Sequence, residues 1–357
     1  MEPFVYESHA SRVIFGRGAA TRIGEELERL GLSRALVLST PGHEAEARAV
    51  AERLGQRAAG VLATARVHVP TELAAAAVQT ARELAADCTI GYGGGSTIGL
   101  GKAIALELGL PQLAVPSTYA GSEMTSIWGL TAGGEKRTGR DARVLPRVVI
   151  YDPLLTVGLS ARTTAASGLN ALAHAVEALY STGANPVTTL LGEEAIRALA
   201  DALPRAVRDG GDLEARGDAL YGAYLAGYVL GAVPMALHHQ LCHALGGAFD
   251  LPHAELHALV LPHVVRFNAP AVPAAIARIA RALGDADPAA RLRRMVDELA
   301  LPASLEALGV PRAGLAEVAH RVVARPYSNP RPIDEASVLA LLHDLFTGRL
   351  AAPEETP

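Results

Sequence analysis

From residue 12 to about residue 155, short β-branched runs alternate with amphipathic stretches, the pattern of strands each followed by a covering helix. The runs are RVIFG from Arg12, RALVLST from Arg34, AGVLATA at 59–65, CTIGYGGGS from Cys88, PQLAVPST from Pro111 and RVVIYD from Arg147. Helical spacing is read over 19–31, 44–55, 71–86 and about 98–109, and GLTAGGEKRTG at 129–139 reads as a small hairpin. This alternation predicts an α/β domain with a doubly wound parallel sheet. From Ser160 the strand signals stop, and apolar positions recur at helical spacing over 162–182, 186–208, 212–232 and 273–300. The reading is two domains, α/β over 1–157 and all-α over 158–357.

Composition supports two cores and narrows the partners. At 357 residues the chain exceeds what one core usually supports, and its hydrophobic half is poor in aromatics, as suits helices packed on a parallel sheet. A formal charge of −5 argues against nucleic acid or an anionic membrane as the main partner, leaving a small molecule. No apolar run reaches the ~20 residues of a membrane span. The start of the chain lacks a basic segment followed by an apolar one, and its only cysteines are the distant Cys88 and Cys242. These features predict a cytoplasmic protein with reduced thiols.

Candidate chemistry falls in three places. GYGGGSTIGLGK, from Gly91 to Lys102, leaves a predicted strand and opens a helix, which lets the backbone of Gly93, Gly94, Gly95 and Ser96 approach a phosphate at a helix N-terminus. It matches neither GxGxxG nor the P-loop pattern, but three successive glycines would only weaken a turn that made no close approach. PSTYAGSEMT, from Pro116 to Thr125, also follows a strand; Ser117, Thr118 and Ser122 could line a cofactor site or simply cap the turn. Third, six of the twelve histidines fall within 238–263, in HHQLCHALGGAFDLPHAELHALVLPH. His239 and His243 share a helix face that is expected to end near Gly246 and Gly247. His253 opens the next helical segment, with His257 four residues on. Upstream, Asn170 and His174 pair by the same spacing. Side chains from several helices facing one point can ligate a metal or do acid–base work, and both uses remain open. Asn170 bears on that choice, because a neutral amide oxygen holds a divalent cation less tightly than a carboxylate.

The order GGGSxxxxxK, PSTYAGSE, YDP, SGxNAxxHAxEALY, HHxxCHxLGG, LPHAxxHAxxLPH and NPRP resembles the iron-containing alcohol dehydrogenase superfamily (dehydroquinate synthase-like fold), and within it the maleylacetate reductase branch. The resemblance spans nearly the whole chain. It implies a dinucleotide-binding N-terminal domain, a helical catalytic domain, an active site in the cleft between them, and a homodimer. The family's metal ligands, one Asp and three His, fall on Asn170, His174, His239 and His253, with His243 beside the substrate. Asn170 departs from that pattern, so bound iron or zinc is not implied with the same force. Gly99 stands where many members carry Asp, and the second strand ends in Ser39 and Thr40 without the carboxylate that would exclude a 2′-phosphate. NADH and NADPH are therefore both expected as cofactors, held by Gly94, Gly95, Ser96, Lys102, Ser39, Thr40, Ser117, Thr118 and Ser122. The implied reaction is reduction of 2-maleylacetate to 3-oxoadipate in aromatic compound breakdown. His243 and His253 would polarise or donate protons, and His174 and His239 would complete a polar wall. Lys102, Arg137, Arg140, Arg143, Arg162 and Arg331 are candidates for the carboxylates of the dicarboxylate substrate. The rival readings are a metal-dependent dehydrogenase acting on a small alcohol or aldehyde, and a dehydroquinate-synthase-like enzyme using NAD without net redox.

Overall fold

The computed structural model describes residues 4, 6–8, 11–133, 135–324 and 326–353, with the side chains of Glu135 and Lys136 outside it. Gly134 of the expected hairpin and residues 354–357 lie outside the described residues. The chain divides into two compact units, Ser8–Leu159 and Ser160–Pro357, the latter joined by the described residues among 1–7.

The first unit holds the strands β1 (Arg12–Phe15), β2 (Ala35–Leu38), β3 (Ala58–Leu62), β4 (Cys88–Gly93), β5 (Gln112–Pro116), β6 (Ile127–Ala132), β7 (Glu135–Arg140) and β8 (Val148–Tyr151). Six of these form a sheet in the order β1-β8-β5-β4-β2-β3, parallel throughout, while β6 and β7 pair as the expected antiparallel hairpin. Helices α1 (Ile23–Leu30), α2 (Glu44–Leu54), α3 (Thr71–Glu83) and α4 (Gly95–Leu108) complete the layers. Alternation along the strands sends Val37, Ile90, Leu113 and Ile150 into one core, and Leu36 and Leu38 into another with Leu100 and Ile104 of α4. The chain runs outward from β2 to β3, then returns to the other side of β2 with β4. The C-terminal ends of β2 and β4 therefore bracket the switch point at which open α/β sheets bind ligands.

The second unit consists of α5 (Ala161–Leu179), α6 (Pro186–Arg208), α7 (Leu213–Ala232), α8 (Leu237–Phe249), α9 (His253–Asn268), α10 (Pro273–Leu283), α11 (Pro288–Glu298), α12 (Leu315–Val323) and α13 (Glu335–Thr347). Capping chemistry sets many of the boundaries. Ser160 caps α5, Asn185 and Thr188 form a capping box ahead of Pro186, and Asp334 pairs with Ser337 at α13. No single described helix is long and apolar enough to cross a membrane.

Three helix boundaries differ from the sequence reading. The stretch 273–300 is two helices, because Gly284 stops α10 at φ 66° and Asp287 with Pro288 starts α11. Helix α8 does not end at Gly246 and Gly247 but runs to Phe249, where Asp250 turns left-handed at φ 50°. Helix α4 begins at Gly95 rather than near Ile98, with Gly94 at its N-cap and Gly93 still in β4.

Candidate active site

In the α/β unit the glycine loop is shaped by what cannot fit there. Gly93 has φ +147°, and a Cβ on it would lie 2.7 Å from Thr97 Oγ1; a Cβ on Gly94 would lie 3.0 Å from Thr118 Oγ1. The loop is tied to β5 by the Ser117 N–H donating to Gly93 O at 3.1 Å. No side chain caps α4, and Gly94, Gly95 and Ser96 are partly exposed at its N-terminus. Thr118 and Ser122 are partly exposed on the adjoining loop, whereas Ser117 is buried. This is a cradle of backbone and small side chains that fits the phosphates of a dinucleotide. Gly99 has a packing reason, since a Cβ there would lie 2.9 Å from Val69.

Two of the expected cofactor contacts turn inward. Lys102 is buried, and its Nζ donates to Ser122 O, Thr125 O, Thr125 Oγ1 and Ile127 O at 2.7–2.9 Å. With three donors engaged by four acceptors it has nothing left for a phosphate or a carboxylate. Burial pulls its ammonium down to about 7, while the nearby Glu123 carboxylate opposes that. Its work is to hold the 122–127 segment. Ser39 is likewise fully buried, its hydroxyl donating to Thr40 O at 3.1 Å, so it shapes the end of β2 from within. Thr40 pairs with His43 through its hydroxyl at 3.0 Å, with no carboxylate in its place.

In the helical unit α5 carries Asn170, His174 and Glu177 on one face, α8 carries His238, His239, Cys242 and His243, and α9 carries His253 and His257. Small residues let α5 sit deep among its neighbours: a Cβ on Gly168 would lie 2.1 Å from Leu203 of α6. Helix α8 has no cap of its own. Its first N–H groups are met instead from elsewhere, that of His238 by Glu177 Oε1 at 2.9 Å and that of Leu237 by Asn329 Oδ1 at 3.4 Å. Asn329 and Asn268 exchange amide bonds at 2.9 and 3.2 Å, which gives the NPRP segment a structural task.

The histidines form two tiers. His174, His238, His239 and His257 are buried, whereas His253 is half-buried and His243 exposed. One nitrogen from each of His174, His239 and His257 lies within 4.8 Å of the others. The buried carboxylate of Glu177 accepts a short hydrogen bond from His239 Nδ1, and His238 Nε2 lies 3.0 Å from His257 Nδ1. His243 and His253 stack at 6.3 Å between ring centroids. Burial pushes His174, His238 and His257 well below the usual imidazole range, with neighbouring histidines adding to the shift. Asn170 Oδ1, His174 Nδ1, His239 Nε2 and His257 Nε2 are buried without a hydrogen-bond partner. Buried, unpartnered nitrogens are a donor set that suits a divalent metal, and the amide in place of a carboxylate weakens that set without spoiling it.

Sequence reasoning missed Glu177 as the carboxylate behind His239. The available signal was the one acidic residue of α5, three positions after His174. Of the cationic candidates, Arg162 is paired with Glu255 at 2.5 Å and Arg143 with Asp141 at 2.7 Å, while Arg331 donates to Phe267 O and stacks on that ring. Arg137 and Arg140 lie exposed on β7.

Against known proteins, a family model described as iron-containing alcohol dehydrogenase matches residues 10–153, and one described as Fe-containing alcohol dehydrogenase family, C-terminal, matches 164–346. A maleylacetate reductase of Sphingobium indicum is 55% identical over 345 residues, covering 97% of this chain and 98% of that protein. A maleylacetate reductase of Burkholderia cepacia is 54% identical, covering 98% and 99%. The crystal structure of maleylacetate reductase from Agrobacterium tumefaciens superposes with a TM-score of 0.95 at 48% identity, covering 98% of this chain and all of that one.

Proposed function

The chain belongs to the iron-containing alcohol dehydrogenase family, and we propose that within it this chain reduces the carbon–carbon double bond of 2-maleylacetate to give 3-oxoadipate. The observation that carries this reading is near full-length identity of 46–55% to curated maleylacetate reductases. The enzyme is an NAD(P)H-dependent oxidoreductase. A reduced nicotinamide, when bound, supplies the hydride.

The chain's own residues have the remaining work. As the double bond conjugated to the ketone is reduced, charge develops on the ketone oxygen and a carbon must take a proton. We assign to His243 and His253, the accessible tier, the donation to that oxygen and the delivery of that proton. His174 and His239, from the buried tier, complete the polar wall beside them. His174 and His239, with the Asn170 oxygen as a weaker donor, would hold a divalent cation, which when bound supplies Lewis-acid polarisation of a carbonyl. Gly94, Gly95 and Ser96 bind phosphate through backbone N–H groups. Thr40, with no carboxylate, leaves room for the 2′-phosphate of NADPH. The closed thiols Cys88 and Cys242, both buried, accord with a cytoplasmic enzyme, which we take to act as a homodimer.

The test is oxidation of NADH and of NADPH with maleylacetate against a panel of small aldehydes, with and without EDTA. Turnover confined to maleylacetate is expected, with both cofactors accepted. Preference for an aldehyde, lost in EDTA and restored by Fe²⁺ or Zn²⁺, would replace this reading with the metal-dependent alcohol dehydrogenase.

A further inference from the structure

The segment that joins β5 to β6 alternates in exposure: Tyr119, Gly121 and Glu123 are buried, while Thr118, Ala120 and Ser122 are partly exposed. The exposed set adjoins the glycine loop, since a Cβ on Gly94 would lie 3.0 Å from Thr118 Oγ1 and one on Gly95 would lie 3.5 Å from Ala120 Cβ. Lys102 follows Gly95 by seven residues, two turns along the same face of α4 and about 10 Å down its axis. We propose that Lys102 is a positioning residue for the nicotinamide cofactor: it clamps the far end of segment 117–127 to α4, which keeps Thr118 and Ser122 set against the glycine cradle. The proposal rests on the reading of that cradle as the cofactor's phosphate site.

The bonding is that of a clamp. Between β5 and β6 the described backbone has a short 3-10 turn, Ser122–Met124, and no longer element. Its near end is tied by the Ser117 N–H donating to Gly93 O at 3.1 Å. Its far end closes on one nitrogen, because the carbonyls of Ser122, Thr125 and Ile127 and the Thr125 hydroxyl all accept from Lys102 Nζ at 2.7–2.9 Å. Glu123 supplies a counter-charge from within the same segment, and its Oε1 accepts from the Tyr151 hydroxyl of β8 at 2.9 Å. One buried pair thus joins α4, the segment and the sheet. The clamp also depends on a proton. Burial pulls the Lys102 ammonium down to about 7, Glu123 opposes that, and Arg140 of β7 adds to it. Burial raises the Glu123 carboxyl, against its own backbone N–H, Tyr151 and Lys102. A neutral amine keeps two N–H donors for four acceptors, so the clamp loosens as pH rises through about 7.

NADH binding to the full-length protein is measured by fluorescence titration without substrate, so the outcome does not depend on the maleylacetate reaction. Lys102→Met keeps the reach of the side chain and removes its donors; at about pH 6 it should raise Kd for NADH by about tenfold. Wild-type Kd should rise by about threefold from about pH 6 to about pH 8.5, whereas that of Lys102→Met should stay flat. With maleylacetate, kcat of the variant at saturating NADH should stay within about twofold of wild type. A Kd near that of wild type, a pH slope parallel to it, or a loss confined to kcat overturns the proposal. Should Lys102→Met not fold, Thr125→Val decides by removing one acceptor. It is expected to raise Kd by about threefold, with Thr125→Ser close to wild type, and equal Kd in all three proteins overturns the clamp. Gly94→Val in the same titration tests the cradle itself. Normal NADH binding there overturns the cradle reading, whereas weakened binding there beside an unaffected Lys102→Met overturns the proposal alone.

Discussion

The glycine loop of the α/β unit and the histidine cluster of the helical unit are built by opposite means. The loop offers its backbone, so its residues matter for what they lack: a side chain at Gly94 would press on Thr118, and Gly93 is held at a φ that other residues rarely adopt. The cluster offers side chains drawn from three helices, and its histidines differ in how deeply the packing encloses them. A backbone site is therefore a local property of one strand–turn–helix segment. A side-chain site is a property of the packing of α5, α8 and α9 together.

This contrast can be tested by loss. The largest effect is expected at the accessible tier: His243→Ala should lower kcat by about 10²- to 10⁴-fold, the range of a positioned acid or base, while NADH affinity measured by fluorescence titration stays unchanged. A kcat near that of wild type would remove His243 from the chemistry. Next in size is the opposite pattern in the loop. Gly94→Val places a branched side chain against Thr118 and should raise KM for NADH by about tenfold, with kcat at saturating cofactor nearly intact. A fall in kcat with no change in KM would show that the loop acts on chemistry rather than binding.

The smallest effect is on stability, and it should also separate the units. Burial pushes His263 down to about 4, with Arg293 adding to the shift, against an ordinary value near 6.5. Between these values the unfolded chain holds a proton that the folded chain does not, so stability falls as pH drops from about 6.5 towards 4. The buried His174, His238 and His257 shift in the same direction. In the α/β unit burial raises Glu26, but Arg29 and Arg12 outweigh it and hold its carboxyl below the usual range, a contribution lost only at more acid pH. With EDTA present, far-UV circular dichroism should therefore show acid unfolding at a higher pH than the fluorescence of Trp128, the sole tryptophan, in β6 of the α/β unit. Coincident midpoints would mean that the two units lose stability together.

Much of the site was legible because helical spacing is a strong constraint. Asn170 and His174, or His239 and His243, must share a face wherever an α-helix forms. Enclosure was not legible, because it depends on neighbours far along the chain. Lys102 looked like a phosphate ligand at the end of a glycine loop, yet its ammonium is enclosed by carbonyls 20 to 25 residues on. The reading of 273–300 as one stretch failed for a related reason. Gly284 at φ 66° ends one helix and Asp287 caps the next, breaks made by single residues within a long stretch of helix-forming sequence.

By itself the sequence determined the two-unit plan, the parallel sheet, the glycine loop and the identity of every histidine, because strand and helix periods and glycine's missing side chain are local properties. Tertiary structure alone decided which imidazoles are enclosed and which are reachable, which carboxylate stands behind His239, and that His257 converges with His174 and His239. These follow from how deeply α5, α8 and α9 interpenetrate, and depth is set by contacts between residues that no spacing rule relates.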